Sequence, residues 1–181
     1  LLAAGGVTTA LLWDQVGPLL GLTADSPAAP FLQDGDAAFA LGTVDGYDDA
    51  VREYTRASAI APEEPGVYAS IARAEVYWAQ MLAFQADDID ARLAAARAAL
   101  NAATDEDATD NDEDEEPETE PTPADPALVG EAARIRAELQ RHAERGKENA
   151  ETALGLNDGH GPAEVAFASA SRLLGDNEAA Q

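Results

Sequence analysis

The sequence predicts an all-α protein, and three observations predict it. Forty-two of the 181 residues are Ala, the strongest intrinsic helix former. Aromatic residues make up only 6% of the chain, too few, with too little β-branched residue between them, for a sandwich or barrel. Apolar residues recur at spacings of three and four, and the runs are separated by Pro, Gly and Asp.

Residues 1–30 read as an apolar N-terminal helix followed by a linker. The first twelve are uncharged and largely apolar, and Trp13 is followed by Asp14, as where a membrane helix meets its interface. Twelve residues do not span a bilayer, which takes about 20. The stretch is therefore either the tail of an anchor that begins upstream or an apolar helix capping a helical array. If it is an anchor, the protein is membrane-associated, and the absence of Lys and Arg before Arg52 places its soluble part on the extracytoplasmic side by the positive-inside bias. The sole Met is Met81, so the chain reads as a processed product or a piece of a longer one.

Residues 23–30 (TADSPAAP) form the linker. The helical domain occupies 31–181. From Phe31 to Ala61, Tyr47, Ala50, Val51, Tyr54, Ala57 and Ser58 make one packed face. Ala61-Pro62-Glu63-Glu64-Pro65 ends that stretch and begins the next, with Pro65 suited to a first helical turn. Val67 to about Gln85 is helical. Asp87 to Ala103 is either its continuation or a new segment capped by Asp87 or Asp88. Residues 104–126 hold twelve acids, four Pro and no Lys or Arg, which predicts a disordered acidic loop. Ala127 to Leu156 is helical, with Gly146 as a soft point. A turn through His160 leads to a helix over Pro162–Leu174, and residues from Asn177 onward resemble the opening of another.

Charge narrows the function classes. Eleven basic residues face 35 acidic ones, a net of −24. Such a chain repels nucleic acid and anionic lipid and attracts basic partners. The absence of Cys and the presence of only two His rule out thiolate and His-rich metal sites.

The stretch GYDDAVREYTRASAIAP, with Ala50, Tyr54, Ala57 and Pro62 in register, resembles the second helix of a tetratricopeptide (TPR) repeat. Ala38 and Leu41 then belong to the helix before it, and Tyr68, Ile71 and Ala72 open the next repeat. The pattern returns at Gly146, Ala150, Ala153, Leu156 and Asp158, and again at Phe167, Ala168, Gly175 and Ala180. Gly146 and Ala180 are 34 residues apart, one repeat length. Ala50 and Gly146 are 96 apart, which implies a long insertion in the second repeat. The resemblance implies antiparallel helix pairs stacked as a short right-handed solenoid. The insertion lengthens one pair into an extended helical hairpin tipped by the acidic loop. An Ala-rich bundle with accidental spacing is the alternative.

What the resemblance implies about binding is a concave groove lined by first helices, here through Phe39, Ala69, Arg73, Val76, Val165, Ser169 and Arg172. Arg73 and Arg172 are then suited to a carboxylate of an extended peptide, unless each pairs with a neighbouring acid. The Lys/Asn arrangement by which some family members clamp a chaperone's C-terminus is absent, since Ala69 and Arg73 stand at those places.

No catalytic constellation is legible. Asp110-Asn111-Asp112-Glu113-Asp114 starts like a calcium loop, but Glu115 and Pro121 stand where that loop needs Gly and Glu. Gly5-Gly6 lacks the Lys and Ser/Thr of a phosphate loop, and there is no G-x-S-x-G element. His142, between Arg141 and Glu144, reads as surface, and His160, in a Gly-rich turn, as structural or merely exposed. Glu63-Glu64 suits a helix start. The expectation is a non-catalytic scaffold without cofactors, a segment of a larger membrane-anchored bacterial protein that takes a protein or peptide partner. The alternatives are a regulatory or sensor region attached to a catalytic domain elsewhere in the protein, and an acidic module that captures a basic partner through 104–126.

Overall fold

Local signals place the helix ends. In a computed structural model that describes residues 26–107 and 125–175, all regular structure is helical and no strand occurs among the described residues. Helix α1 (Ala29–Phe39) starts with Pro30 in its first turn, where a missing N–H costs nothing. It ends at Phe39 with Ala40 as its cap, and Gly42, at a left-handed φ of 63°, turns the chain toward the next helix. Helix α2 (Val44–Ile60) is capped by Thr43, whose Oγ1 accepts from the Gly46 N–H at 3.1 Å. Helix α3 (Pro65–Asp107) begins after the Pro-containing turn and runs for 43 residues. Helix α4 spans Pro126–Leu156. Helix α5 (Gly161–Leu174) ends on Gly175 at a φ of 81°.

The chain divides into two compact units: Leu1–Gln80 with Leu139–Gln181, and Met81–Glu138. In the first unit the opening turns of α3 carry two apolar stripes. Val67, Ile71 and Ala74 join Leu32 of α1 and Ala50, Tyr54 and Ala57 of α2 in one core. Ala69 meets Ala153 of α4 and Ala163 of α5, and Ala72 meets Ala150 and Ala166. Partner numbers fall along α4 as they rise along α3, so the two helices are antiparallel there. Gly146 completes this seam. A Cβ on it would sit 2.9 Å from Val76 Cγ2 and 3.4 Å from the Ala72 carbonyl oxygen, so this glycine permits close approach and is not a soft point.

In the second unit, Leu82, Ala86, Ile89 and Leu93 form the buried stripe of α3, and Ala132 and Ile135 are buried on α4. Arg136 of α4 donates to Asp90 of α3.

Several expectations change. Helix α3 continues past Asp87 and Asp88 without a new segment and includes 104–107, so the first four residues of the acidic stretch are helical. Residues 108–124 of that stretch, the apolar residues 1–22 and the residues from Asn177 onward lie outside the described residues. Leu41, expected to pack in a helix, is 66% exposed, because the chain has already turned toward Gly42. Among the described residues no helix is long and apolar enough to cross a membrane.

Glycine substitutions separate packing from propensity. A Cβ on Gly35 would lie 3.0 Å from Tyr54 Cζ and closer still to two other ring atoms, whereas Gly130 has open space around it. Gly35→Ala is expected to lower stability by about 1–3 kcal/mol through overpacking, and Gly130→Ala to raise it by up to about 1 kcal/mol. Thermal unfolding checks this: Tm shifts of opposite sign, of a few degrees each. Equal shifts would mean the α1–α2 contact is not this close.

Candidate functional site

The seams that build the first unit are apolar, and the polar groups set into them stand out. Tyr54 of α2 is fully buried, and its hydroxyl donates to Asp36 Oδ1 of α1 at 2.6 Å. Arg73 of α3 donates through Nη2 to the same oxygen at 2.7 Å and to the Tyr54 hydroxyl at 3.1 Å. One clasp therefore joins three helices. The Arg73 guanidinium lies over the Phe39 ring at 4.5 Å, and Phe39 meets Tyr47 at 5.5 Å and Tyr77, edge-on, at 5.2 Å. Burial raises the Tyr54 phenol well above its ordinary value. The Asp36 carboxylate pushes the same way and Arg73 opposes it.

A second polar group crosses the α3–α4 seam. His142 Nδ1 lies 2.5 Å from Glu75 Oε2, and both residues are buried. The imidazole stacks on Trp78 at 3.8 Å. Arg145 Nη1 stands 3.9 Å from the other Glu75 oxygen.

His142 corrects the surface reading, and His160 takes the structural of its two readings. The charged neighbours of His142 obscured its period: His142, Gly146, Ala150 and Ala153 follow at four, four and three, and all are buried. That spacing was the available signal. His160 is buried because the first turn of α5 is drawn onto α3 and α4 through Ala163. Its two ring nitrogens have no hydrogen-bond partner and are sealed from solvent.

The seven groove residues are dispersed in role. Ala69 and Val76 are 2% exposed. They pack in the α3–α4 seam, where a small or compact side chain lets the helices close. Arg73 is held by Asp36 and Tyr54 rather than free, and its Nε is sealed without a partner. Phe39 is half-buried under Arg73. Val165, Ser169 and Arg172 fall on α5 at spacings of four and three. Val165 is 68% exposed, Arg172 is exposed, and Arg172 Nη2 stands 3.4 Å from Ser169 Oγ. The open part of the expected surface is thus a stripe on α5. Among the described residues no three His, Asp or Glu side chains converge to hold a metal ion.

No known protein family, curated protein or solved structure matches the chain.

The clasp has measurable consequences. Asp36→Ala is expected to cost about 2 kcal/mol, the range for a hydrogen bond to a charged group. Adding Arg73→Leu should recover part of it, because the guanidinium no longer lacks its carboxylate. A double-mutant cycle in urea measures the coupling, and purely additive losses would mean the two side chains do not act together. Tyr54 supplies a pH test. Its folded pKa lies above the unfolded value of about 10, so its contribution is complete below about pH 10 and is lost as pH rises beyond it. Tyr54→Phe should be less stable at neutral pH yet lose stability less steeply above about pH 10. Parallel alkaline slopes would show that Tyr54 titrates freely.

Proposed function

We propose that the first unit is a TPR-like helical-repeat scaffold, non-catalytic, that binds a protein or peptide partner along its first helices. One observation supports this above others: the opening turns of α3 take α1 and α2 on one stripe and α4 and α5 on another, both lined by Ala. Helix pairs that cover one another's apolar faces are the building principle of a solenoid. On this reading α1–α2 is one repeat, the start of α3 with the end of α4 is a second, and α5 opens a third. The insertion has its helical halves at 82–103 and 127–145, and most of it falls in the second unit. The right-handed stacking and the concave groove follow from the resemblance.

Within that groove the clasped Arg73 and Phe39 form a rigid floor, while Val165, Ser169 and Arg172 offer an apolar contact beside a cation. This pairing suits an extended peptide with an apolar residue next to a carboxylate. The membrane anchor and extracytoplasmic location belong to the same proposal and rest on residues 1–14 and on the absence of Lys and Arg before Arg52.

Selection of displayed extended peptides against the whole chain tests the reading. Enriched peptides should share an apolar–acidic pair and lose at least about tenfold in affinity to Val165→Glu and to Arg172→Glu, since a central apolar contact or charged hydrogen bond is worth about 1.4 kcal/mol or more. Reproducible peptides that bind both variants as tightly as the parent would overturn it.

A further inference from the structure

The second unit carries a groove that the scaffold reading does not use. It has a volume of about 390 Å³, and Met81, Phe84 and Ile89 of α3 line it together with Ile135 of α4. Ile89 and Ile135 are buried and form its base. Phe84 is 75% exposed, the most open large apolar side chain among the described residues. A Phe left in water forgoes the burial that its large apolar side chain favours. Scattered exposed Leu or Val residues need no explanation, but an exposed aromatic standing at an apolar groove marks a contact surface.

Charge specifies the occupant. Asp88 from α3 and Glu131 from α4 lie on this groove, and Arg92 is the one cation lining it. By sequence the unit's residues, 81–138, hold seventeen acids against four Arg, a net of −13. That field draws cations to the unit and repels acidic chains and anionic membranes. An apolar cleft between two helices fits the apolar stripe of a third, with anchors at spacings of three and four.

We propose that this groove is a docking site for a basic amphipathic helix of a partner protein. An apolar anchor of that helix lies against Phe84, Ile89 and Ile135, and flanking Lys or Arg side chains meet Asp88 and Glu131. Arg92 sets the register by accepting an acid or an uncharged residue opposite it and rejecting a cation. The site is independent of the α5 surface and stands or falls without it.

The test uses the full chain and three labelled peptides of about 18 residues, roughly 27 Å as helix. One is a Leu/Lys helix with Leu at spacings of three and four, the second has the same composition in scrambled order, and the third is a Leu/Glu version of the first. Affinities are read by fluorescence anisotropy at low and near-physiological salt. The amphipathic Leu/Lys peptide should bind, and the scrambled peptide should bind at least about tenfold more weakly. Phe84→Ala, checked for unchanged helicity by circular dichroism, should weaken the first peptide about tenfold or more. The double variant Asp88→Asn, Glu131→Gln should weaken it several-fold and flatten its salt dependence. Equal binding of ordered and scrambled peptides, or indifference to Phe84→Ala, would show that only the general acidic field acts and would overturn the site. Equal binding of the Leu/Glu peptide would overturn its charge preference. A dimer in sedimentation that Phe84→Ala dissolves would assign the face to a second copy of this chain instead.

Discussion

Close helix approach along α3 is the constraint on which the first unit depends. Two helices come within about 8 Å only where the side chains between them are small. Ala69, Ala72, Ala150, Ala153, Ala163, Ala166 and Gly146 supply that condition on one side of α3. On the other side Ala50, Ala57 and Ala74 alternate with the larger Leu32, Tyr54, Val67 and Ile71. Larger residues in the first seam would hold the helices apart, and even a Cβ on Gly146 would crowd Val76 and the Ala72 carbonyl.

Alanine seams have a weakness. One Ala fits against another in many registers, so small residues permit approach without choosing an alignment. The polar groups make that choice. A buried carboxylate or imidazole displaced by one turn loses its partner and keeps its desolvation cost. Asp36, Tyr54 and Arg73 thereby hold α1, α2 and α3 in one alignment. Glu75 and His142, with Trp78 against the ring, do the same for α3 and α4. These networks are most simply read as register devices, and that role explains why Arg73 is held within the fold.

The two proposed binding surfaces use what this architecture leaves exposed. Helix α5 spends Ala163, Ala166 and Ala170 on packing and retains Val165, Ser169 and Arg172. The second unit buries Leu82, Ala86, Ile89 and Leu93 and leaves Phe84 open. Both proposed surfaces are therefore exposed faces of helices whose other faces are packed among the described residues, and the strong net negative charge favours a basic partner over an acidic one.

Much of the helical order was legible before any coordinate. The spacing of Tyr47, Ala50, Tyr54 and Ala57 names the buried face of α2, and Pro30, Pro65 and Gly175 mark element ends, because propensity, period and backbone restriction are local properties. The turn at 40–43 was less visible, since Ala40 and Leu41 extend a helical composition up to Gly42. The continuity of α3 past Asp87 and Asp88 was undecided, because Asp serves equally as a cap and as an exposed helix residue. Composition and period thus determined the helical class, the apolar faces and the acidity. Only the tertiary structure decided that Ala69 and Val76 close a seam, that Arg73 is held by Asp36 and Tyr54, and that both histidines lie inside. The physical reason is that a period says which residues share a face, whereas burial and pairing depend on what another part of the chain brings to that face.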